Sequence, residues 1–133
     1  MMYLVESNIW LEYLLGQEKY DEVITFLRSV PDDRLFITDF TIFSIGIILN
    51  RYKKNLEFKR FIENIFEDGM VNLISLNVAE LNDVVDNVIK FNLDFDDAYH
   101  LTAAEHIGLT LVSFDTDFDE TSITRKTPGD INL

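Results

Sequence analysis

The chain has 133 residues, of which 47% are hydrophobic and 13% aromatic, and it carries a formal net charge of −13. This length predicts a single domain over residues 1–133, and the apolar content is enough for a core that offsets the chain entropy lost on folding. The chain has no cysteine, which excludes disulfides, thiolate metal ligands and a cysteine nucleophile. Because it has only two histidines, a His-rich zinc site is not expected either.

The apolar runs and the charges narrow the class of protein further. No apolar run reaches the ~20 residues of a membrane-spanning helix, and Glu6 interrupts the start of the chain where a signal peptide has an uncharged core. We therefore expect a cytoplasmic protein with no membrane partner.

The negative charge argues against broad attraction to nucleic acid, which depends on Lys and Arg. No Lys or Arg lies between Lys90 and Arg125. Five of the eleven basic residues share one other segment, namely Arg51, Lys53, Lys54, Lys59 and Arg60.

Short apolar runs alternate with amphipathic segments in the first half of the chain. The opening run MMYLV is too short for a helix and predicts a buried strand that ends near Glu6. The segment FTIFSIGIILNRY is apolar on nearly every side, which predicts burial on more than one face, either in the monomer core or against a second subunit. The predicted elements are a strand at 1–5, helices at 8–15 and 18–30, a strand at Leu35–Thr38, and helices at 40–52 and 56–68. Ser7 or Asn8 is the expected cap of the first helix, and Gly69 is expected to close the last.

The second half of the chain continues the alternation of strands and helices. Its predicted elements are a strand at 70–76, a helix at 78–92, a helix at 94–108 capped by Asp94 and ended by Gly108, and a strand at 109–114 that runs into the polar segment DTDFDET. Such alternation implies a mostly parallel sheet with helices on both faces. In open parallel sheets, ligands bind outside the carboxyl ends of the strands. These strand ends are therefore the first place to look for a functional site.

Carboxylates stand at two of these strand ends. Glu6 ends the first strand and Asp115 follows the last, while Asp97 lies in the first turn of the helix that precedes the last strand. Each acid also has an ordinary explanation when it is taken alone. Asp97 stands three residues after Asp94, as the first-turn acid of a capped helix does, and the segment 115–120 is compatible with a solvated turn.

A divalent cation accounts for the acids better when they are taken together. A carboxylate beside a buried strand, as at Glu6, is costly unless it is paired or binds a cation. Several acids without a nearby Lys or Arg repel one another unless a hard metal neutralises them. Oxygen ligands with open positions suit Mg²⁺ or Mn²⁺, which can polarise a phosphoryl group and activate water for in-line attack. The pattern therefore predicts metal-assisted hydrolysis of phosphodiester bonds.

Three ordered motifs that span almost the whole chain resemble those of a known family, the PIN domain. The segments LVESNIWLEYLL, DFDDAYHLTAA and LVSFDTDF are similar to the family's opening, helical and strand-end motifs, and RKTPGDI is similar to the closing segment of many members. The likeness is greatest to the small PIN ribonucleases of VapC-type toxins. It implies a three-layer α/β/α sandwich with a mostly parallel central sheet, and an acidic pocket that binds Mg²⁺ or Mn²⁺ and cleaves RNA.

The resemblance also implies roles for individual residues when they are carried over by position. Glu6, Asp97 and Asp115 would be the acidic, catalytic metal ligands, and Asp117 would contribute through water. Asn8 and Ser113 would orient them through hydrogen bonds.

The chain departs from the family pattern at two positions that touch this chemistry. Glu6 stands where the family usually has Asp, and its additional methylene moves the carboxylate by about 1.5 Å. Ser44 stands where a Glu is usual, and it cannot supply the missing charge. Asp39, at the start of the same helix, is either a substitute carboxylate or the N-cap of that helix.

Two functions follow from these observations. The first is an active metal-dependent endoribonuclease, the toxin of a pair in which an antitoxin protein covers the pocket, with a homodimer as the expected assembly. In that case the segment from Arg51 to Arg60 engages RNA phosphates, although a solvated helix face explains the same charges. The second is a PIN scaffold with an impaired site that binds RNA or a protein partner. A receiver or phosphatase domain fits less well, because the chain has SFDTD and ESN where those proteins have a Lys and a D-x-D motif.

Overall fold

The computed structural model describes residues 1–131. The helices are α1 (Ser7–Leu15), α2 (Tyr20–Ser29), α3 (Asp39–Arg51), α4 (Asn55–Ile62), α5 (Leu81–Phe91) and α6 (Phe95–Ile107). The strands are β1 (Tyr3–Val5), β2 (Leu35–Thr38), β3 (Asn72–Ile74), β4 (Thr110–Val112) and β5 (Arg125–Lys126). The predicted alternation of strands and helices is therefore confirmed, with shorter strands than the sequence pattern predicts.

The strands form one parallel sheet in the order β3-β2-β1-β4-β5. The chain steps outwards from β1 to β2 and β3, and then crosses to the other side of β1 for β4 and β5. The strand order therefore reverses between β1 and β4. At such a switch point the loops that leave the two strands diverge and open a crevice at the carboxyl edge of the sheet. The predicted parallel α/β fold with helices flanking the sheet is confirmed.

Successive residues of β1 pack into two apolar cores on opposite faces of the sheet. Tyr3 and Val5 contribute to one core, together with Trp10 of α1, whereas Leu4 contributes to the other, together with Leu101 of α6. This alternation is the two-residue period of a strand, and both cores are closed by helices. The strand is at most 6% exposed at each residue. The residue that follows it, Glu6, therefore enters the site directly from a buried strand.

The caps of two helices differ from the predicted ones. α1 begins at Ser7, immediately after the strand, so Glu6 occupies the N-cap position and the prediction of Ser7 or Asn8 as the cap is wrong. At α3 the cap is Thr38, whose hydroxyl accepts a backbone N–H of the first turn at 3.0 Å. The interpretation of Asp39 as an N-cap is therefore also wrong. In both cases the helix starts earlier than its apolar pattern does.

Two further segments differ from the predicted elements. The predicted helix 56–68 consists of α4 and a π-helical turn, Glu63–Glu67. Gly69 ends it, but for a different reason than expected: a Cβ there would lie 2.6 Å from the carbonyl oxygen of Asn64, so the position needs a residue without one. β5 is not predicted at all, because two charged residues carry no alternation of apolar and polar positions.

The helix α3 is buried on one face only. Ile45 and Leu49 are fully buried, whereas Phe43 and Ile47 are 66% and 55% exposed. The monomer core therefore covers only part of the apolar surface that this segment carries. Within residues 1–131, no helix has the length and apolar character needed to cross a membrane.

Candidate functional site

The candidate site lies at the carboxyl ends of β1 and β4. Glu6 extends the pairing of these strands by one hydrogen bond, from its N–H to the carbonyl of Val112 at 3.1 Å. Ser113 follows β4 and is fully buried. Asp97 lies in the first turn of α6, and Asp115 lies just beyond Ser113. Residues from three distant parts of the chain therefore meet at the switch point.

Three of the acids form a group with the spacing of metal ligands. Asp97, Asp115 and Asp117 each have a carboxylate oxygen within 4.8 Å of the other two, and we call them the acidic cluster. Asp97 is only 8% exposed. The other two lie on one short turn, in which a carboxylate oxygen of Asp115 accepts the N–H of Asp117 at 2.9 Å. Asp94 and Asp96 lie close to Asp97 on its other side and form a second, more exposed acidic group with it.

Glu6 is buried beside the acidic cluster but is not a member of it. Its Oε2 atom accepts hydrogen bonds from the Ser113 hydroxyl at 2.5 Å and from the Asn8 amide at 3.2 Å. The Asn8 amide also donates to the Ser113 hydroxyl at 3.0 Å. Asn8 and Ser113 thus hold Glu6 by direct hydrogen bonds. The longer Glu side chain reaches across to the end of β4, which explains how the site accommodates the additional methylene.

The same two side chains tie the backbone after β4 to the start of α1. The side-chain oxygen Oδ1 of Asn8 accepts the N–H of Phe114 at 3.2 Å, and the Ser113 hydroxyl accepts the N–H of Asp115 at 3.0 Å. Buried polar groups that are fully paired in this way hold one arrangement. The position of Asp115 relative to β1 is therefore fixed by direct hydrogen bonds.

Two of the acids have strongly raised pKa values. Burial raises the pKa of Glu6 to about 7; the Ser113 hydrogen bond opposes this rise, and the negative charges of Asp97 and Asp115 add to it. Burial also raises the pKa of Asp97 to about 7, with further contributions from Asp96 and Asp115. Within residues 1–131, no Lys or Arg forms an ion pair with Glu6 or with the acidic cluster. Closely spaced carboxylates without a counter-charge fit a hard divalent cation.

His100 is a structural neighbour of the site. It is buried, and its Nδ1 atom lies 2.7 Å from the carbonyl oxygen of Asp96, so Nδ1 carries the proton. Nε2 then accepts from the hydroxyls of Thr38 and Thr41 at 2.8 and 2.9 Å. Burial lowers the pKa of His100, which keeps the ring neutral although Glu6 Oε1 lies 3.9 Å from Nδ1. His100 therefore joins α6 to the start of α3.

Asp39 and Ser44 lie outside this group of contacts. The Asp39 carboxylate accepts hydrogen bonds from the hydroxyls of Tyr99 at 2.7 Å and Ser75 at 2.6 Å. Burial and the contact with Asp39 raise the pKa of Tyr99 to about 12, so this phenol stays a donor. Ser44 is half-buried and lines a shallow apolar hollow with Phe43. The carboxylate of Asp39 is therefore committed to another network and is not a member of the acidic cluster.

The five basic residues predicted to bind RNA lie at the end of α3, in the turn that follows it and on α4. From Asp39, near the carboxyl edge of the sheet, to Arg51 the helix α3 extends about 18 Å at 1.5 Å per residue. All five are exposed except Lys54, which is half-buried. The length of α3 separates Arg51 from the carboxyl edge of the sheet, whereas Lys59 and Arg60 lie on α4, whose Phe58 packs against Gly46 in the middle of α3.

Two residues beside the site are not identified by the sequence reasoning. Asp96 contributes to the raised pKa of Asp97. The sequence could have indicated this effect, because Asp96 is the neighbour of Asp97 in the first turn of the helix. Arg125 donates to the carbonyl of Ser113 at 3.0 Å and pairs with Asp119. Its sequence signals are that it ends the long stretch without basic residues and that it opens the segment RKTPGDI.

Comparisons with known proteins agree with this architecture. The toxin-antitoxin complex from Klebsiella pneumoniae contains a chain that is 20% identical, with a TM-score of 0.76 over 95% of this chain and 97% of that one. The sarcin-ricin loop cleaving toxin VapC20 of Mycobacterium tuberculosis is 14% identical, with a TM-score of 0.78 over 92% and 96%. FitAcB from Neisseria gonorrhoeae is 21% identical, with a TM-score of 0.75 over 98% and 100%.

These structural similarities concern the fold. No curated protein matches the chain by sequence. The family model described as PIN domain matches residues 3–123, which is most of the chain. The chain therefore belongs to the PIN domain family.

Proposed function

We propose that this protein is an endoribonuclease that depends on Mg²⁺ or Mn²⁺ and hydrolyses phosphodiester bonds of RNA. The observation that carries the proposal is the acidic cluster at the switch point of a PIN-domain sheet, with Glu6 buried beside it and no Lys or Arg paired to it within residues 1–131. A bound cation would stabilise the closely spaced carboxylates of this cluster. A cation beside Glu6 would also explain why a carboxylate stands at the end of a buried strand.

The proposed ligands are Asp97, Asp115 and Asp117, whose oxygen atoms lie close enough to share one ion. This differs from the expectation that Asp117 acts through water and that Glu6 is a direct ligand. Glu6 instead lies beside these ligands: its Oε1 accepts no hydrogen bond within the part of the chain that the structure describes, and His100 Nδ1 lies 3.9 Å from it. When bound, Mg²⁺ or Mn²⁺ supplies charge that polarises a phosphoryl oxygen and lowers the pKa of water.

The side chains of the site have separate tasks in this reaction. Asn8 and Ser113 hold Glu6 Oε2, so the orientation of Glu6 is set before substrate arrives. With a pKa of about 7 in the metal-free protein, Glu6 exchanges protons readily near neutral pH, which suits general acid–base work, whereas Asp97 is deprotonated when it binds the cation. The basic segment from Arg51 to Arg60, which runs from the end of α3 along the surface of α4, would contact phosphates of the bound RNA.

We also propose an antitoxin protein as the partner of this chain, and a homodimer as its assembly. Structural neighbours are described as toxin-antitoxin complexes, which supports the first proposal by analogy of fold. The exposed Phe43 and Ile47 on α3 support the second, because a second copy would cover apolar surface that the monomer leaves in water. A cytoplasmic location would fit such an RNA-cleaving toxin.

A cleavage assay tests the proposed activity. Purified protein is incubated with single-stranded RNA and Mg²⁺ or Mn²⁺, beside Asp115→Asn and the matched control Asp86→Asn, which removes the same charge from the exposed face of α5. We expect metal-dependent cleavage by the wild type and the control, and a loss of roughly 100-fold or more in Asp115→Asn. Equal cleavage by all three proteins, or cleavage that persists with EDTA, would contradict the proposal.

The second candidate function is a PIN scaffold that binds RNA or a protein without cleaving it. The observations that favour it are Glu6, which lies outside the acidic cluster, and Ser44, which brings no charge to α3. Binding and cleavage measured on the same protein distinguish the two functions. A protein that binds Mn²⁺ and RNA but cleaves none of a diverse set of RNAs would support the scaffold.

A further inference from the structure

Two members of the acidic cluster lie on a single loop that is anchored at both ends. The loop runs from Ser113 to Asp119, follows β4, and carries Asp115 and Asp117; we call it the acidic loop. Phe118 is fully buried in the core and fixes one point of it. Asp117 is exposed, and its N–H bonds only to the neighbouring Asp115. The position of Asp117 thus depends on what holds the end of the loop.

A single guanidinium group contacts both ends of the acidic loop. Arg125 on β5 donates through Nε to Asp119 Oδ1 at 2.7 Å and through Nη2 to Asp119 Oδ2 at 3.0 Å. Its third nitrogen, Nη1, donates to the carbonyl oxygen of Ser113 at 3.0 Å. A planar, two-pronged Arg–carboxylate pair fixes geometry as well as charge. The distance between the first and last residues of the loop is therefore set by one rigid group.

The environment of this pair differs from that of an ordinary surface ion pair. The Arg125 side chain is only 14% exposed, and it belongs to a strand that pairs with β4 directly before the loop. The pairing of Leu111 with Arg125 places the base of the side chain next to the loop's origin. Exposed ion pairs contribute little to stability, but a partly buried, bidentate pair that also bonds the backbone has a defined orientation. This arrangement is suited to positioning the acids of the loop.

We propose that Arg125 is a positioning residue, which clamps the acidic loop so that Asp115 and Asp117 face Asp97 and thereby sets the affinity of the site for its cation. This inference rests on the proposed function, since it concerns the same metal site. It assigns no contact between Arg125 and substrate or ion. Its effect on the ion passes through the geometry of the loop.

Positioning and simple electrostatics predict changes of opposite sign when Arg125 is replaced. Arg125 carries a positive charge; the hydrogen bond with Asp119 is the main cause of its raised pKa, and the charge of Asp115 adds a smaller contribution. If charge alone mattered, removing Arg125 would leave the cluster more negative and would tighten binding of a divalent cation. If the clamp matters, removing it releases Asp117 and weakens binding. The sign of the change therefore separates the two explanations.

The experiment is calorimetric titration of Mn²⁺ into four folded proteins: wild type, Arg125→Gln, Arg125→Lys and Lys126→Gln. We expect Arg125→Gln to weaken Mn²⁺ binding roughly 10- to 100-fold, the range seen when a residue that supports metal ligands is lost. Arg125→Lys keeps the positive charge but loses the two-pronged pair, so its Mn²⁺ affinity should stay within a few-fold of that of Arg125→Gln. Lys126→Gln removes the same charge from the neighbouring position of β5 and should change affinity less than about twofold.

A second variant keeps the inference testable if Arg125→Gln does not fold, as judged by circular dichroism. Asp119→Asn retains Arg125 but breaks the two-pronged pair, and it should weaken Mn²⁺ binding by more than Glu120→Gln, which removes the same charge from the adjacent exposed residue. Unchanged or tighter binding in the folded Arg125 or Asp119 variants, with normal binding by the wild type, would overturn the clamp. A purely structural ion pair would lower the melting temperature of these variants and leave their Mn²⁺ affinity intact. Failure of the wild type itself to bind Mn²⁺ would instead overturn the proposed function, and the clamp with it.

Discussion

Asp97→Asn should abolish detectable Mn²⁺ binding and lower metal-dependent RNA cleavage by roughly 100-fold or more, since a bound metal supplies several kcal/mol of charge stabilisation and each 1.36 kcal/mol is a factor of ten in rate. Asp97 is the most buried member of the acidic cluster and the one that α6 holds rigidly. Asn is nearly isosteric with Asp but has lost its charge. The measurements are calorimetry with Mn²⁺ and initial rates of RNA cleavage.

The same variant should be more stable than the wild type when no metal is present. At pH 8 the wild-type carboxylate is charged in the fold despite burial and despite the neighbouring acids Asp96 and Asp115, which raise its pKa to about 7. Asn removes this repulsion. We expect the melting temperature in EDTA to rise by about 4 °C or more, the change that accompanies 1 kcal/mol in a domain of this size. Asp86→Asn serves as the control; a variant that is both inactive and destabilised would indicate a structural role for Asp97 instead.

Mn²⁺ binding should weaken steeply as the pH falls through 7. A metal ligand must be deprotonated, and Asp97 in the fold has a pKa of about 7. For one such ligand the apparent affinity at pH 6 is about tenfold lower than at pH 8, and coupling to Glu6, whose pKa is also about 7, makes the fall steeper. Calorimetry in buffers of different ionisation enthalpy measures the protons released on binding. An affinity that stays constant between pH 6 and 8 would contradict these protonation states.

The stability of the metal-free protein should change with pH in the opposite direction. The pKa values of Glu6 and Asp97 in the fold lie above their unfolded values of 4.5 and 3.8, so the folded state holds more protons between those values and 7. Stability therefore falls as pH rises through this window, and it levels off above it. Added Mn²⁺ should restore stability at pH 8 far more than at pH 5, because at pH 8 the cation takes the place of the protons that neutralise Glu6 and Asp97 at lower pH.

Much of the fold follows from the sequence because strand burial and chain order are local signals. MMYLV is too short for a helix and too apolar for a surface strand, and it is indeed the central strand. Once β1 and β4 are adjacent and parallel, the residues after them must meet at one edge. Glu6, Asp97 and Asp115 accordingly lie near one another at that edge, whereas their roles as metal ligands stay predictions.

The remaining features depend on contacts that spacing does not encode. The hydrogen bond from the Ser113 hydroxyl holds the Glu6 carboxylate at the end of β4, and the acidic cluster contains Asp117 instead of Glu6. Tyr99 and Ser75 draw Asp39 into a separate network, although its position at the end of β2 resembles that of a ligand. In both cases a long-range hydrogen bond decides where a carboxylate points. The sequence likewise does not predict β5 or the contacts of Arg125, because two charged residues form a strand only by pairing with β4.

Crystals of the wild-type protein soaked in Mn²⁺ at pH 8, with diffraction data collected for anomalous scattering, would locate the ion directly. We predict one strong peak about 2 Å from carboxylate oxygens of Asp97, Asp115 and Asp117, with Glu6 facing it and water in the open positions. Asp97→Asn crystals treated in the same way should show no peak. The absence of a peak in the wild type, or a peak held only by Asp94 and Asp96 on the outer surface, would show that the buried acids do not form a metal site.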